Sequence, residues 1–212
     1  LARGHATGKW RPEGSSLDLI MRPIILASAS FQRKVLLKRC GVKFKVIPSQ
    51  IREIIKIQTT CSALVQKNAL LKARDVASRI KDGIVIGADT LVYIGRKQII
   101  GKPRHLKEAK KILHILFSRP HWGYPGIAVI DAAAGQTVVD YEKTKVFMNR
   151  LSDQEIDRYH RKIYPLDKAG GFDIEGHGGL FIRRIEGCYS NVIGLPLAKL
   201  REILKKFNIS LF

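Results

Sequence analysis

Acidic residues are scarce in this chain. Only 18 Asp and Glu stand against 38 Lys and Arg in 212 residues, which leaves a formal net charge of +20 at pH 7. Such a surplus draws polyanions: nucleotides, nucleic acids or acidic membranes. The basic residues are not gathered into one tail. They recur along helical stretches, as in Arg33-Lys34, Lys38-Arg39 and Lys205-Lys206, a pattern equally typical of a solvated basic surface. Cysteine is scarce too. Cys40, Cys61 and Cys188 are widely spaced, with no CxxC pair and no His/Cys cluster at zinc spacing. They read as reduced thiols in a reducing, cytoplasmic setting.

Other absences narrow the field. No apolar run approaches the roughly 18–20 residues of a membrane span. Neither a P-loop nor GxGxxG is present, so neither fold built on those motifs is supported. Helix-turn-helix and zinc motifs are missing, as is the aromatic-plus-basic interleaving of single-strand binders. There is no internal repeat and no shift of composition to mark a linker. Residues 1–19 are polar, rich in Gly, Arg and Ser, without the apolar core of a signal peptide. Met21 directly precedes Arg22-Pro23 and the first strand-like run. The expectation is an extension of little structure over 1–20 and a single domain over 21–212.

What is present alternates between strand and helix. Ile24–Ala27 is a short apolar run ending in Ser-Ala-Ser, and a charged helical stretch around Val35–Leu37 closes at Gly41. Phe44–Ile47 reads as a strand, and Gln58–Ile80 carries apolar residues at three- and four-residue spacing. Ile84–Ile86 is an apolar strand leading into Gly87-Ala88-Asp89-Thr90. Leu91–Ile94 and Gln98–Ile100 read as a hairpin around Gly95-Arg96. A helix covers Glu108–Phe117, and paired strands cover Gly126–Asp131 and Thr137–Phe147. Ser152 and Glu155 form a capping-box signature for a helix reaching about Lys162. A Gly-rich loop runs from Gly170 to Gly179, a strand over Leu180–Ile185, and a last helix over Pro196–Phe207. The alternation predicts an α/β fold with a mixed central sheet flanked by helices.

Four places bring polar groups to the ends of buried strands, where open α/β sheets take ligands. The first is Ser28–Lys34, where a strand hands over to a helix. Free N–H groups there suit a phosphate, with Ser28, Ser30, Arg33 and Lys34 as further donors, and a plain Ser N-cap with surface basics is the competing reading. The second is Asp89, which is a cap, a catalytic base or a metal ligand. The third is Lys102, held between Gly101 and Pro103, either a surface lysine or one aimed at an anion. The fourth is 167–179, with carboxylates, a Lys and five glycines in thirteen residues. That is too many for an ordinary loop, and the glycines permit close approach of backbone to a ligand.

Together these segments resemble the Maf family of nucleoside triphosphate pyrophosphatases from about Ile24 to Phe207. Leu26-Ala27-Ser28-x-Ser30 resembles its opening LASxSPRR. Glu53 after Pro48-Ser49 resembles its acidic position, and Lys72-Ala73 its helical KA pair. Gly87–Thr90 with Gly101-Lys102-Pro103 resembles GADT…GKP. Pro165–Gly170 resembles PLDKAG, and Asn191–Leu197 resembles NVVGLPL. Each alone is weak, and six in order are strong.

The resemblance implies an elongated α/β fold with a central cleft, often a homodimer. It implies hydrolysis of a nucleoside triphosphate to monophosphate and pyrophosphate with a divalent metal, Mg²⁺ or Mn²⁺. Asp89 matches the proton acceptor, and Glu53 would help it hold the metal. Arg33, Lys72 and Lys102 would neutralise phosphate charge, and Ser28 would position the phosphates. Three departures stand out. Phe31-Gln32-Arg33 replaces Pro-Arg-Arg, with Lys34 as partial compensation. Pro125-Gly126 replaces Thr-Gly, and Glu175 replaces a Gln. A Gln offers one donor and one acceptor, which suits uracil or thymine. A carboxylate offers acceptors only, which suits guanine. Glu175 therefore resembles the branch acting on 7-methyl-GTP, whereas Thr90 and Asp167-Lys168 resemble the dTTP/UTP branch. Gln32 resembles neither. The balance of the surrounding sequence favours dTTP/UTP. A nucleic-acid-binding protein on an inactive scaffold is the competing class, motivated by the +20 charge. The family's name history adds a role in cell division, on which no residue bears.

Overall fold

The computed structural model describes residues 22–55, 60–95 and 98–211. The expected N-terminal extension and the Arg96 turn lie outside them. Among the described residues eight strands form one mixed sheet, six of them in the order β2 (Phe44–Val46), β1 (Ile24–Leu26), β3 (Ile84–Ile94), β5 (His121–Asp131), β7 (Thr144–Met148), β8 (Ile182–Glu186). In addition β4 (Gln98–Ile100) pairs with β3, and β6 (Thr137–Tyr141) with β5. β1, β2 and β3 are parallel, and every other pairing is antiparallel. The mixed sheet expected from the sequence is therefore what forms.

Helices cover both faces. Residues of even number in β3 (Ile84, Ile86, Ala88) pack under α1 (Phe31–Arg39) and α6 (Leu197–Lys205), through Leu36, Leu37, Leu200 and Ile203. Further along the same face, Val92 and Ile94 pack with α3 (Leu106–Ser118) and α4 (Asp153–His160). The opposite face carries α2 (Cys61–Ala77) through Ala69, Ala73 and Val76. α5 (Tyr189–Ile193) links the sheet to α6.

The local signals explain the helix starts. The Thr60 side chain accepts from the Ala63 N–H at 3.1 Å, and His105 accepts from Glu108 at 3.2 Å. The expected capping box of Ser152 and Glu155 forms in full at the start of α4.

α2 presses unusually close to the sheet. A Cβ on Gly87 would lie 2.2 Å from the Ala69 carbonyl oxygen and 2.8 Å from the Ala73 nitrogen. Only glycine permits that approach, and the obstacle is helix backbone that cannot swing aside. Gly87→Ala is expected to lower stability by at least about 2 kcal/mol, a fall in Tm of about 4–8 °C by thermal melting.

Several boundaries depart from the sequence reading. Ile84–Ile86 and Leu91–Ile94 are not separate strands, because β3 runs unbroken through Gly87–Thr90 against β5. β5 begins at His121 rather than Gly126, since Gly123 and Pro125 are carried inside it. The expected strand Thr137–Phe147 is divided into β6 and β7. The two keep one register against β5, Gly126 opposite Tyr141 and Gly123 opposite Thr144. The ladder lapses opposite Pro125, which has no N–H to donate and still accepts from Glu142 at 3.0 Å. The Gly-rich stretch is not a plain loop but a chain of short 3₁₀ turns, Pro165–Asp167, Ala169–Gly171 and Gly176–Leu180. Leu180 belongs to the last turn, so β8 starts at Ile182. The final helix is Leu197–Lys205, with Pro196 as its cap.

Candidate active site

A gap in strand pairing makes the site. β1 accompanies β3 only to Ile86, and β4 joins it only from Val92. Between those points the edge of β3 has no neighbouring strand among the described residues. Two cations reach the same edge carbonyl from opposite faces. Arg33 of α1 donates to the Ala88 oxygen at 2.9 Å, and Lys72 of α2 donates to it at 3.3 Å. Asp89 sits in the gap with its side chain toward α2. It is thus at the mouth of the parallel part of the sheet, as expected, yet within a continuous strand.

The Asp89 carboxylate is buried and fully engaged. One oxygen accepts from Lys72 Nζ at 2.7 Å, the other from the Asn68 amide at 3.0 Å. Asn68 and Lys72 are one turn apart on α2 and share a face, and the contact at Gly87 brings that face within reach. Asn68 also donates to the Ile54 carbonyl and accepts from the Ile54 N–H, both at 3.0 Å. It thereby ties the segment bearing Glu53 to the site. Glu53 in turn meets Lys72 Nζ at 2.6 Å. Burial alone would raise the pKa of Asp89. The charge and hydrogen bond of Lys72, the Asn68 amide and the charge of Arg33 more than offset it, leaving the carboxyl below its ordinary value. Asp89 is therefore ionised at neutral pH.

Arg33 is buried, and burial outweighs the pull of Asp89 and Glu53 in lowering its pKa. Its guanidinium is spent largely on protein. Nε donates to the Gly194 carbonyl at 2.9 Å, one terminal nitrogen to Ser28 Oγ at 3.0 Å and to Ala88, the other to Thr90 Oγ1 at 3.0 Å. Four of five N–H groups are occupied, so one remains for a ligand. Gly194 can present its carbonyl because it adopts φ +119°, a left-handed conformation open to glycine. Thr90 donates to the same carbonyl at 3.2 Å.

Around this centre lies one pocket. It is lined by Ser30, Gln32, Arg33, Glu53, Lys72, Asp89, Thr90, Lys102 and Glu175, so most of the expected site residues come together. Ser28 and Lys34 do not line it. Ser28 Oγ instead accepts from the Ser30 N–H at 3.3 Å and from Arg33, supporting the start of α1. Among the described residues no side chain caps that helix start, which leaves N–H groups of its first turn open beside the pocket that Ser30, Gln32 and Arg33 line. Gln32 accepts weakly from Ser30 Oγ at 3.4 Å. Lys102 is exposed on the rim and makes no hydrogen bond or ion pair among the described residues. Glu175 is paired with Arg39 at the C-terminal end of α1. Asn68 and His121 escaped the sequence reading. Asn68 sits in a helix whose apolar periodicity drew all the notice, and His121 lies in a stretch that reads as a loop.

The residues fit a divalent cation. Glu53 and Asp89 place carboxylate oxygens 2.6 and 2.7 Å from the same ammonium nitrogen, so they converge on one point that takes positive charge. Two carboxylates are what Mg²⁺ commonly receives from a protein, with water and substrate phosphates completing its shell. Among the described residues no group of three or more His, Cys, Asp or Glu is placed to hold a metal alone.

The family model described as "Maf-like protein" matches residues 23–207. The chain is 43% identical over 193 residues to a dTTP/UTP pyrophosphatase of Alkaliphilus metalliredigens, covering 90% of this chain and 100% of that one. It is 44% identical over 189 residues to a dTTP/UTP pyrophosphatase of Bacillus anthracis, covering 89% and 97%. Among solved structures, the Staphylococcus aureus Ham1 protein matches 60% of this chain and 72% of its own at 18% identity and TM-score 0.42.

Proposed function

The chain belongs to the Maf family, and from that premise we propose that it hydrolyses dTTP and UTP to the monophosphate and pyrophosphate. One observation carries the reading. Two carboxylates, two buried cations and an uncapped helix start meet at a break in the sheet, which is the equipment needed to hold a polyphosphate and activate water beside it. Asp89, ionised and fixed by Asn68 and Lys72, accepts the proton that the attacking water sheds. Arg33, Lys72 and Lys102 spread positive charge where negative charge shifts along the phosphates. When bound at Glu53 and Asp89, the divalent metal supplies further neutralisation of that charge.

The pairing of Glu175 with Arg39 supports the pyrimidine substrates. A free carboxylate in the pocket would favour a cationic base such as 7-methylguanine, and Arg39 already answers that charge.

The test is pyrophosphate release from dTTP, UTP, CTP, GTP and 7-methyl-GTP with Mg²⁺ or Mn²⁺. Preference for dTTP and UTP is expected, and preference for 7-methyl-GTP would reassign the substrate. Chelation of the metal with EDTA is expected to reduce turnover at least about 100-fold. Tm should change by no more than about 2 °C, because Lys72 holds Glu53 and Asp89 together when no metal is bound.

A further inference from the structure

His121 lies at the far end of the pocket and has no use in the chemistry above. The residue is 1% exposed, and neither ring nitrogen has a hydrogen-bond partner among the described residues. It nevertheless lines the pocket, together with the apolar side chains of Val92, Val146, Phe172 and Val192. Phe172 packs edge-on against it, ring centroids 5.6 Å apart at 78°. A buried polar group without a partner destabilises a fold, so an unused imidazole facing a ligand pocket calls for a partner that comes with the ligand.

Its place in the sheet says which part of the ligand that is. His121 pairs with Ile94 on one side and Val146 on the other. Asp89 is five residues from Ile94 along β3, roughly 17 Å of strand. The charged groups Arg33, Glu53, Lys72 and Asp89 cluster at the Asp89 end, while apolar Ile94, Val146 and Phe172 adjoin His121. Burial holds its pKa down to about 4, so the ring is neutral at physiological pH. An apolar recess floored by a neutral imidazole repels phosphate and suits a flat, uncharged heterocycle with polar atoms on its edge.

Resting on the reading of the pocket as a nucleotide site, we propose that His121 is a specificity-determining residue that hydrogen-bonds the edge of the nucleobase. One ring nitrogen then finds its partner only when a base is seated. A base that cannot supply that partner leaves the imidazole buried and unpaired, which is how such a site rejects the wrong ligand.

The experiment compares ligands that carry a base with one that does not. Ring-nitrogen NMR of the wild-type protein is expected to move His121 on addition of UMP or dTMP, and to leave it unmoved with inorganic tripolyphosphate. His121→Phe keeps the ring packing and removes the nitrogens. It is expected to raise KM for dTTP and UTP at least about tenfold with kcat within about threefold, and to flatten the preference among bases. Inhibition by tripolyphosphate and Tm should hold, and His121→Asn should recover part of the loss. Unchanged KM and base preference in a folded His121→Phe protein would overturn the proposal, as would equal NMR shifts with tripolyphosphate. If wild type binds UMP with the His121 shift but releases no pyrophosphate from any triphosphate, hydrolysis fails while the base contact stands. Turnover without the His121 effects defeats the base contact alone.

Discussion

Asp89→Asn lowers kcat about 1000-fold and leaves the affinity for the triphosphate unchanged or tighter. The two effects part company because the carboxylate does different things in each step. In the proposed chemical step it takes a proton, which an amide cannot do, and helps hold the metal, to which an amide offers only an uncharged oxygen. In binding it stands as negative charge beside the phosphates, so its loss relieves repulsion. A residue that only propped up the fold would weaken binding and rate together. Single-turnover rates and equilibrium binding of dTTP under the same conditions separate the cases. The wild-type rate should also be insensitive to acid from neutral pH down to about pH 5, because the Asp89 pKa lies below its ordinary value. An acid limb at neutral pH would assign the base elsewhere.

Arg33→Lys combines the largest loss of stability with a large loss of rate. The guanidinium closes four bonds from one buried position, to Ser28, Ala88, Thr90 and Gly194. An ammonium has three donors on a point and cannot span those directions. The loss of buried bonds and the misplaced buried charge cost about 3 kcal/mol or more, a fall in Tm of about 6–12 °C for a chain of this size. The edge of β3 that frames Asp89 then loses one of its two clamps, and kcat/KM drops about 100-fold or more. An Arg33→Lys protein that melts and turns over like wild type would remove Arg33 from both roles.

Most of the charged centre was legible because its residues fall in short segments whose order is telling. Asp89 and Lys102 stood out at the ends of strands, Glu53 and Lys72 only through the family resemblance, and all four line the pocket. What Arg33 does was not legible. Its bonds to Ala88, Thr90 and Gly194 span 55, 57 and 161 residues, and no local pattern announces a gap between β1 and β4. Ser28, read from the sequence as a phosphate donor or as a plain structural serine, accepts from Arg33 and from the Ser30 N–H. Asn68 was hidden by its helix, where only the contact at Gly87 explains how it reaches Asp89. His121 was hidden by Gly123 and Pro125, two residues that break strands in isolation. Here they sit inside β5, because eleven residues of β3 pair against it. The strands and helices themselves followed from apolar spacing, and the boundaries that moved did so where pairing overruled a local breaker.

The most direct measurement is the identity of the products from a single turnover of dTTP and of UTP with Mg²⁺, followed by phosphorus NMR. The expected result is nucleoside monophosphate and pyrophosphate in equal amounts, absent in the Asp89→Asn protein. Nucleoside diphosphate with orthophosphate, or the same products from the Asp89→Asn protein at the wild-type rate, would contradict it.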